Sequence, residues 1–477
     1  MKSLHYVLYL DKLLKNIMKK LLLTLFIITG YSSNAQFWTP KFTGNTIASR
    51  GLTSFSIVDA NVVWAKNYDG ASTATPPPKV REYTKSIDGG NTWTTGTINL
   101  GTGNTTLNIA SINAISANVA WVAAFKDAGT VQGIYKTTDG GATWTRQTTA
   151  SFNTGTDSFP NFVYFFDANN GVCQGDPASG YFEIYTTVNG GSTWTRVPQA
   201  NIPPPIFAGS VNDEFGYVTN FDVVGDTIWF GTSKGRLFKS SNKGLNWTVA
   251  QSPTPDFGSD SAVNGNSNGS YSFSDVNKGI LIKTTGTLVG ATVVQTSTLH
   301  TTTDGGLTWS PITASGYFRS DIEYIPGTSK IVSTGSGCSY SINDGVTWTN
   351  VDATQRPFVA FLSDIVGYAS GFTNTPGPST TGGVFKYTGN QLVNKTFESS
   401  KFSTYPNPVK DVLTILNTDN ILFNEVTITD LNGRTIKNYK VNNLSETSLN
   451  VSELNAGVYF LSITSDSSKA VKKFIKN

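Results

Sequence analysis

Histidine, cysteine and methionine are almost missing from this sequence, with two of each in 477 residues. Each scarcity excludes a chemistry. His5 falls in an N-terminal leader, which leaves His300 as the one histidine of the mature chain. A metal centre built on two histidines is therefore excluded within one chain. A Ser-His-Asp triad would have to use His300, which sits in a Thr-rich strand just before a turn. Without methionine, a soft adaptable binding groove is not expected. There is no phosphate-cradling loop of the Walker type and no paired-glycine dinucleotide fingerprint after a strand. No segment past the leader is apolar enough to span a bilayer, and none shows apolar spacing of three and four. No cofactor and no metal are implied.

One octapeptide is abundant instead. It reads Ser86-Ile-Asp88-Gly-Gly90-Asn-Thr92-Trp93 and returns around Asp139, Asn189, Asn242, Asp304 and Asn343, each time ending on a tryptophan. The pattern is Ser/Thr-x-Asp/Asn-x-Gly-x-Thr-Trp, with Asn246 in place of Thr in the fourth copy. Asp or Asn at the third position suits a turn because its side chain accepts turn amides. The following Gly supplies positive φ, and Thr-Trp opens a strand. Strand-like runs precede each copy, such as Glu82-Tyr83-Thr84, with two further apolar runs upstream, such as Phe55-Ser-Ile57 and Val62-Val-Trp64. Each repeat thus offers four short strands, and a fixed period of this size marks a repeat architecture.

The octapeptides resemble the Asp-box (BNR) motif of sialidases, sortilin-type receptors and related β-propellers. That resemblance implies an all-β propeller in which the boxes are turn locks on the outer part of each blade, on the face opposite a ligand. From Trp93 to Trp348 the repeat averages 51 residues, so residues 36–400 hold about seven. The seventh lacks a box but keeps Phe358-Val-Ala-Phe361, Gly367-Tyr-Ala369 and Val384-Phe-Lys-Tyr387. A seven-bladed ring is expected, closed by Phe37-Trp38 or the run to Phe42. Six blades with the seventh repeat as an appendage is the alternative. Cys173 and Cys338 fall in the third and sixth repeats, too far apart for a disulfide, and are read as buried apolar residues.

The ends carry transport signals. Met18-Lys19-Lys20, the apolar run Leu21 to Thr29 and Ser33-Asn34-Ala35 make a secretory signal peptide over residues 1–35, with 1–17 reading as an overlong start. The leader carries five lysines against Asp11, a net of +4, so the formal +3 of the whole chain leaves the remainder near −1. Nucleic acid is not an implied partner. Residues 401–477 begin with Tyr405-Pro-Asn-Pro408 after a short linker and alternate apolar and polar residues between turns, as in a small Ig-like β-sandwich. Residues 402–477 resemble the type A C-terminal sorting domain of the type IX secretion system of Bacteroidetes. The resemblance implies handling by that translocon, passage through the periplasm, and a secreted or outer-membrane surface location.

Carboxylates, arginines and aromatics remain, which is what carbohydrate chemistry uses. Arg50, Arg319 and Arg356 each stand five residues before an aromatic that opens an inner strand, and Arg81 enters a third strand on the same face. Convergent guanidinium groups would make an anion site. Asp69, Asp127, Asp176 and Glu183 are the candidate acids. Of these, Asp176 and Glu183 are weak catalytic candidates in the distinctive Gln174-Gly-Asp-Pro loop, which resembles that of uncharacterised secreted Asp-box proteins. The reading in which Asp176 only caps local amides stands beside it. A sialidase is disfavoured, since no Phe/Tyr-Arg-Ile-Pro motif is present. The sequence therefore points to a non-catalytic exported binder of glycan or protein ligands. The alternative is a glycoside hydrolase or lyase working through carboxylates at the channel mouth.

Overall fold

A computed structural model describes residues 37–477, apart from 71–78, 103, 105, 127–131, 154–157, 208–212, 374–381, 390–401, 418–424, 432–433, 442–445 and 465–468. The expected leader and Asp127 lie outside the described residues. The chain divides into two compact units, Gln36–Gly389 and one that contains Asn390–Asn477.

Among the described residues, the first unit is seven four-stranded antiparallel sheets. Five stand separately, and the first and seventh are joined by the single pair Gly51↔Phe372. The innermost strands are Arg50–Ile57, Leu107–Ala114, Pro160–Phe165, Gly216–Val224, Ser267–Phe273, Asp321–Tyr324 and Val359–Phe361. Each touches the next, and the seventh touches the first. This is a closed seven-bladed propeller, and the six-bladed alternative is set aside.

The ring closes through its N-terminal strand. Trp38–Phe42 pairs antiparallel with the third strand of the last blade, from Trp38↔Tyr387 to Phe42↔Gly383. Trp38 is 2% exposed, packs on Phe361 and Tyr387, and donates its indole N–H to Cys338 Sγ at 3.2 Å. Cys338 and Cys173 are both free and buried.

Blade faces are buried against one another, so the core is seven inter-blade clusters instead of one centre. Trp64, Tyr83, Tyr135 and Trp144 fill the junction of blades one and two. Phe162, Phe182, Phe230 and Trp247 fill that of three and four, and Leu52, Trp93, Tyr368 and Val384 that of seven and one. A second set of contacts is polar. Inner strands are sheet edges, and their amides need acceptors. Ser56 Oγ accepts Ala114 N–H at 2.8 Å, Asn113 Oδ1 accepts Phe165 N–H at 2.9 Å, and Ser272 Oγ accepts Tyr324 N–H at 3.0 Å.

The boxes are turns between third and fourth strands. In the first, Asp88 Oδ1 accepts Thr92 N–H at 2.9 Å and Asp88 Oδ2 accepts Thr92 Oγ1–H at 2.6 Å. Gly90 N–H donates to Ser86 Oγ at 2.8 Å, and Trp93 Nε1–H to Gly90 O at 3.1 Å. Asp139, Asn189, Asn242, Asp304 and Asn343 accept the equivalent amide at 2.9 Å each. In all six boxes a turn amide also donates to the turn between first and second strands of the same blade, such as Gly89 N–H to Asn61 O and Gly140 N–H to Asn118 O. The boxes therefore share a face with those turns, opposite the starts of the inner strands.

Among the described residues, the second unit is two sheets, one of Phe402–Tyr405, Val412–Asn417 and Glu446–Asn450, the other of Thr435–Lys440, Glu425–Thr429, Gly457–Thr464 and Lys469–Lys476. Leu413, Ile415, Val426, Ile428, Leu461 and Phe474 make its core, as the apolar alternation requires.

Truncating the buried closure residue should open the ring. Trp38→Ala is expected to lower stability to denaturant by about 3–5 kcal/mol. Urea unfolding measures it, and a loss below about 1 kcal/mol would show that the N-terminal strand does not hold the ring shut.

Candidate functional site

A cavity of about 430 Å³ lies among the inner strands of five blades. Its walls include Thr53–Phe55 of blade one, Tyr217–Asp222 of blade four, Gly269–Tyr271 of blade five, Asp321 and Glu323 of blade six, and Phe358–Ala360 of blade seven. Many of these residues begin their strands, so the cavity opens toward the face opposite the boxes.

Two walls are irregular for identifiable reasons. Pairing in blade one shifts between Thr53 and Ser56, and in blade four between Gly216 and Phe221. Extra residues in a strand kink it and re-aim side chains. Ser54 has φ 53° and Thr219 φ 59°. Positive φ is strained for any side chain and most of all for a β-branched one. Both strained residues line the cavity. The first bulge turns Phe55 to the cavity wall, and the second brings the Tyr217–Asn220 stretch there.

Three carboxyl groups share this wall. Asp222 accepts Phe273 N–H at 2.6 Å and Val223 N–H at 2.7 Å. Asp321 accepts Val359 N–H at 3.0 Å, Ser270 Oγ–H at 2.9 Å and Ile322 N–H at 3.0 Å. Each thus ties its blade to the next. Burial pushes both up to about 6 despite those bonds, and the Asp321 charge adds to the rise at Asp222. Glu323 is pushed well above the usual carboxylate range by burial and then by the Asp222 and Asp321 charges. Glu323 therefore resists ionisation, beside two acids raised to about 6. These three are the residues that sequence reasoning missed. A signal existed: Ser54-x-Ser56, Ser111-x-Asn113, Asn220-x-Asp222, Ser270-x-Ser272 and Asp321-x-Glu323 are polar pairs at alternate positions of the inner strands.

The residues expected from sequence lie elsewhere or are engaged. Arg50 pairs with Asp69 at 3.0 Å and Glu82 at 3.3 Å. Arg356 is 2% exposed, forks onto Asp352 at 2.6 and 3.0 Å, and lies over the Phe385 ring. Arg81 donates to Asn104 O at 3.1 Å, and Arg319, on the rim, to Gln295 O at 2.8 Å. Two of the four are neutralised by their own carboxylates, so the expected four-arginine anion site is not assembled. Glu183 is fully buried and accepts from Ser158 Oγ and from Tyr185 Oη, the latter at 2.7 Å, which removes it from any ligand. Asp176 bonds Asn161 at 2.7 Å and the Gly216 amide at 2.9 Å, so it reaches the next blade and is more than a local cap. Burial raises it to about 7. His300 sits half-buried in the third strand of blade five.

Residues 403–477 match the family model described as "Secretion system C-terminal sorting domain". The protein is accordingly exported, either secreted or held at the outer-membrane surface. No helix among the described residues is long and apolar enough to cross a membrane. No curated protein matches. Among solved structures, YCF48 bound to D1 peptide is 15% identical with a TM-score of 0.47, over 74% of this chain and 97% of that one. YCF48 from Cyanidioschyzon merolae is 17% identical with a TM-score of 0.44, over 75% and 99%. The NanB sialidase of Streptococcus pneumoniae is 13% identical with a TM-score of 0.35, over 74% and 69%. Likeness this slight adds nothing to the fold read from strand pairing.

The carboxyl groups predict an inverted pH response. Folded Asp222 and Asp321 hold protons up to about pH 6, unfolded aspartate only up to about 3.9. Between those values the folded state binds more protons, so stability falls as pH rises. The box aspartates Asp88, Asp139 and Asp304, held near 2 by their hydrogen bonds, act oppositely: their contribution is in place above about pH 4 and is lost towards pH 2. The melting temperature should rise from pH 8 to pH 5 and drop below pH 4, and Glu323→Gln should raise it at pH 8 far more than at pH 5. A melting temperature that stays level or falls between pH 8 and pH 5 would refute this.

Deleting residues 403–477 should leave the propeller in the periplasm. Cell fractionation tests it, with appearance of the shortened chain in the medium or at the surface as the contrary result.

Proposed function

We propose that this chain is an exported, non-catalytic binding protein that takes a glycan or protein ligand at the mouth of the propeller channel. The observation that carries the reading is the cavity whose wall combines aromatic rings (Phe55, Tyr217, Phe257, Tyr271, Phe358) with three carboxyl groups. Concave sites with an apolar lining and few placed polar groups are the usual form of ligand sites. Ring faces suit the apolar face of a sugar or a side chain. The carboxyl groups suit hydroxyl or ammonium donors and disfavour the anionic ligand that free arginines would have drawn.

The rival, a glycoside hydrolase or lyase, has one observation in its favour. Burial and the neighbouring carboxylates disfavour ionisation of Glu323, as a general acid requires. Such a mechanism also needs a carboxylate free to act as base or nucleophile. Asp222 and Asp321 instead spend their oxygens on the backbone amides of neighbouring blades, which supports binding without turnover.

A glycan array, a peptide panel and a hydrolysis screen with the purified chain distinguish the two. Saturable binding without product is expected, and product release from any bound glycan would favour the rival. Phe55→Ala and Phe358→Ala should each weaken binding at least tenfold, about 1.4 kcal/mol. Affinity unchanged in both variants would move the site away from this cavity.

A further inference from the structure

Two further cavities, of about 560 and 720 Å³, adjoin the channel mouth. The first shares Phe257, Gly269, Ser270 and Phe358 with the channel cavity. The second shares Arg319, Ser320 and Pro357 with the first. Ser320 lines all three, so they run in a row from the channel across the rim of blade six. The outermost depends on a bare backbone at Gly335. A Cβ there would stand 3.0 Å from Ser320 Oγ and 3.4 Å from Phe318 Cβ.

The chemistry of the wall changes along this row. The channel end carries Asp222, Asp321 and Glu323 and, among the described residues, no basic side chain. The middle adds hydroxyls and amides, Ser261, Asn268, Thr284 and Gln295. In both outer cavities Arg319 is the one charged residue among those described. Arg319 is exposed and donates from Nη1 to Gln295 O at 2.8 Å. Among the described residues, neither an ion pair nor another hydrogen bond engages it, whereas Arg50 and Arg356 are neutralised. Its Nε–Nη2 edge, which can fork onto a carboxylate, is open.

The neighbouring strand edge argues against a peptide here. Thr292–Thr302 is the third strand of blade five, and its fourth-strand partner reaches only Leu299–Thr301. An open edge normally takes an added peptide strand through its carbonyls and amides. Here Arg319 and Tyr317 already hold the Gln295 and Ser297 carbonyls, at 2.8 and 2.9 Å, and stand where such a strand would lie.

We propose that this row of cavities binds an extended acidic oligosaccharide, with a uronate carboxylate on Arg319 and neutral units running to the channel mouth. The inference rests on the channel-mouth reading above and narrows its ligand to one class. Sugar hydroxyls donate and accept at once, which matches the serine, threonine, asparagine and glutamine side chains of the middle cavity. The guanidinium fork matches the carboxylate. The channel acids repel a like charge, so they fix the direction of the chain: the acidic unit lies outside and a neutral unit inside. A glycan with uronates spaced by neutral units fits this pattern better than one charged at every unit.

The purified full chain is titrated calorimetrically with tetra- and hexasaccharides that alternate glucuronate or galacturonate with neutral sugars, each beside its methyl ester. Saturable binding of an acid form is expected, about tenfold tighter than of its ester. Arg319→Gln keeps a donor for Gln295 O and should erase that preference without moving the melting temperature. Phe358→Ala, at the junction with the channel, should weaken acid and ester alike. An ester bound as tightly as its acid, or a preference that persists in Arg319→Gln, overturns the inference. If Phe358→Ala still weakens that binding, the channel-mouth reading survives. A chain that takes none of these oligosaccharides overturns the inference as well, whether or not it binds peptides.

Discussion

The fold depends on satisfying the inner strands. Each is the edge of its own sheet, and its free amides face a neighbouring blade instead of a fifth strand. Across most junctions a polar side chain from the preceding inner strand answers that need: Ser54 and Ser56, Ser111 and Asn113, Asp222, Ser270 and Ser272, then Asp321. Junctions three-to-four and seven-to-one use second-strand residues, Asp176 and Thr373. An amide buried without an acceptor costs about 1–3 kcal/mol. The polar pairs are therefore as much part of the ring as the apolar clusters outside them, and they are why polar residues line the channel before any ligand is considered.

That dual use explains the electrostatics of the cavity. Serine and asparagine bring acceptors without charge. Blades four and six bring aspartates, and Glu323 adds a third acid within the field of both. Charge comes from blades four and six, while blades one and seven supply Phe55 and Phe358 to the same cavity. Backbone strain at Ser54 and Thr219 falls on the same cavity. Strain of this kind persists only where surrounding structure enforces it, and it gathers at binding surfaces.

Much of this architecture was legible in the sequence. The boxes announced turns because Asp-x-Gly-x-Thr-Trp has few other conformations, and the repeat length announced the blade count. The closing strand was also visible, since Trp38 is a large apolar residue in a stretch with no box of its own. The arginines misled for a physical reason: sequence position put them near the channel face, but Asp69, Glu82 and Asp352 were within reach and claimed Arg50 and Arg356 first. Glu183 misled likewise, because a strand residue at a loop edge can point inward as easily as out. The acids that do line the cavity were hidden by their setting. In an inner strand, an isolated Asp between apolar residues reads as an edge residue until the ring shows what it faces.

The closing strand gives the chain a property that its individual blades lack. Trp38 meets Cys338 across 300 residues, and Thr373 meets Ile47 across 326. Contacts this distant in sequence form last, since the whole intervening chain must be ordered before they are rewarded. The Trp38–Phe42 strand is made before every blade and must stay unpaired until the final blade exists. Integrity of the propeller is thereby made conditional on the chain having been read through its last blade: a product stopped before Gly382–Tyr387 keeps good blades but has no latch, and exposes the open edges on which proteases and aggregation act.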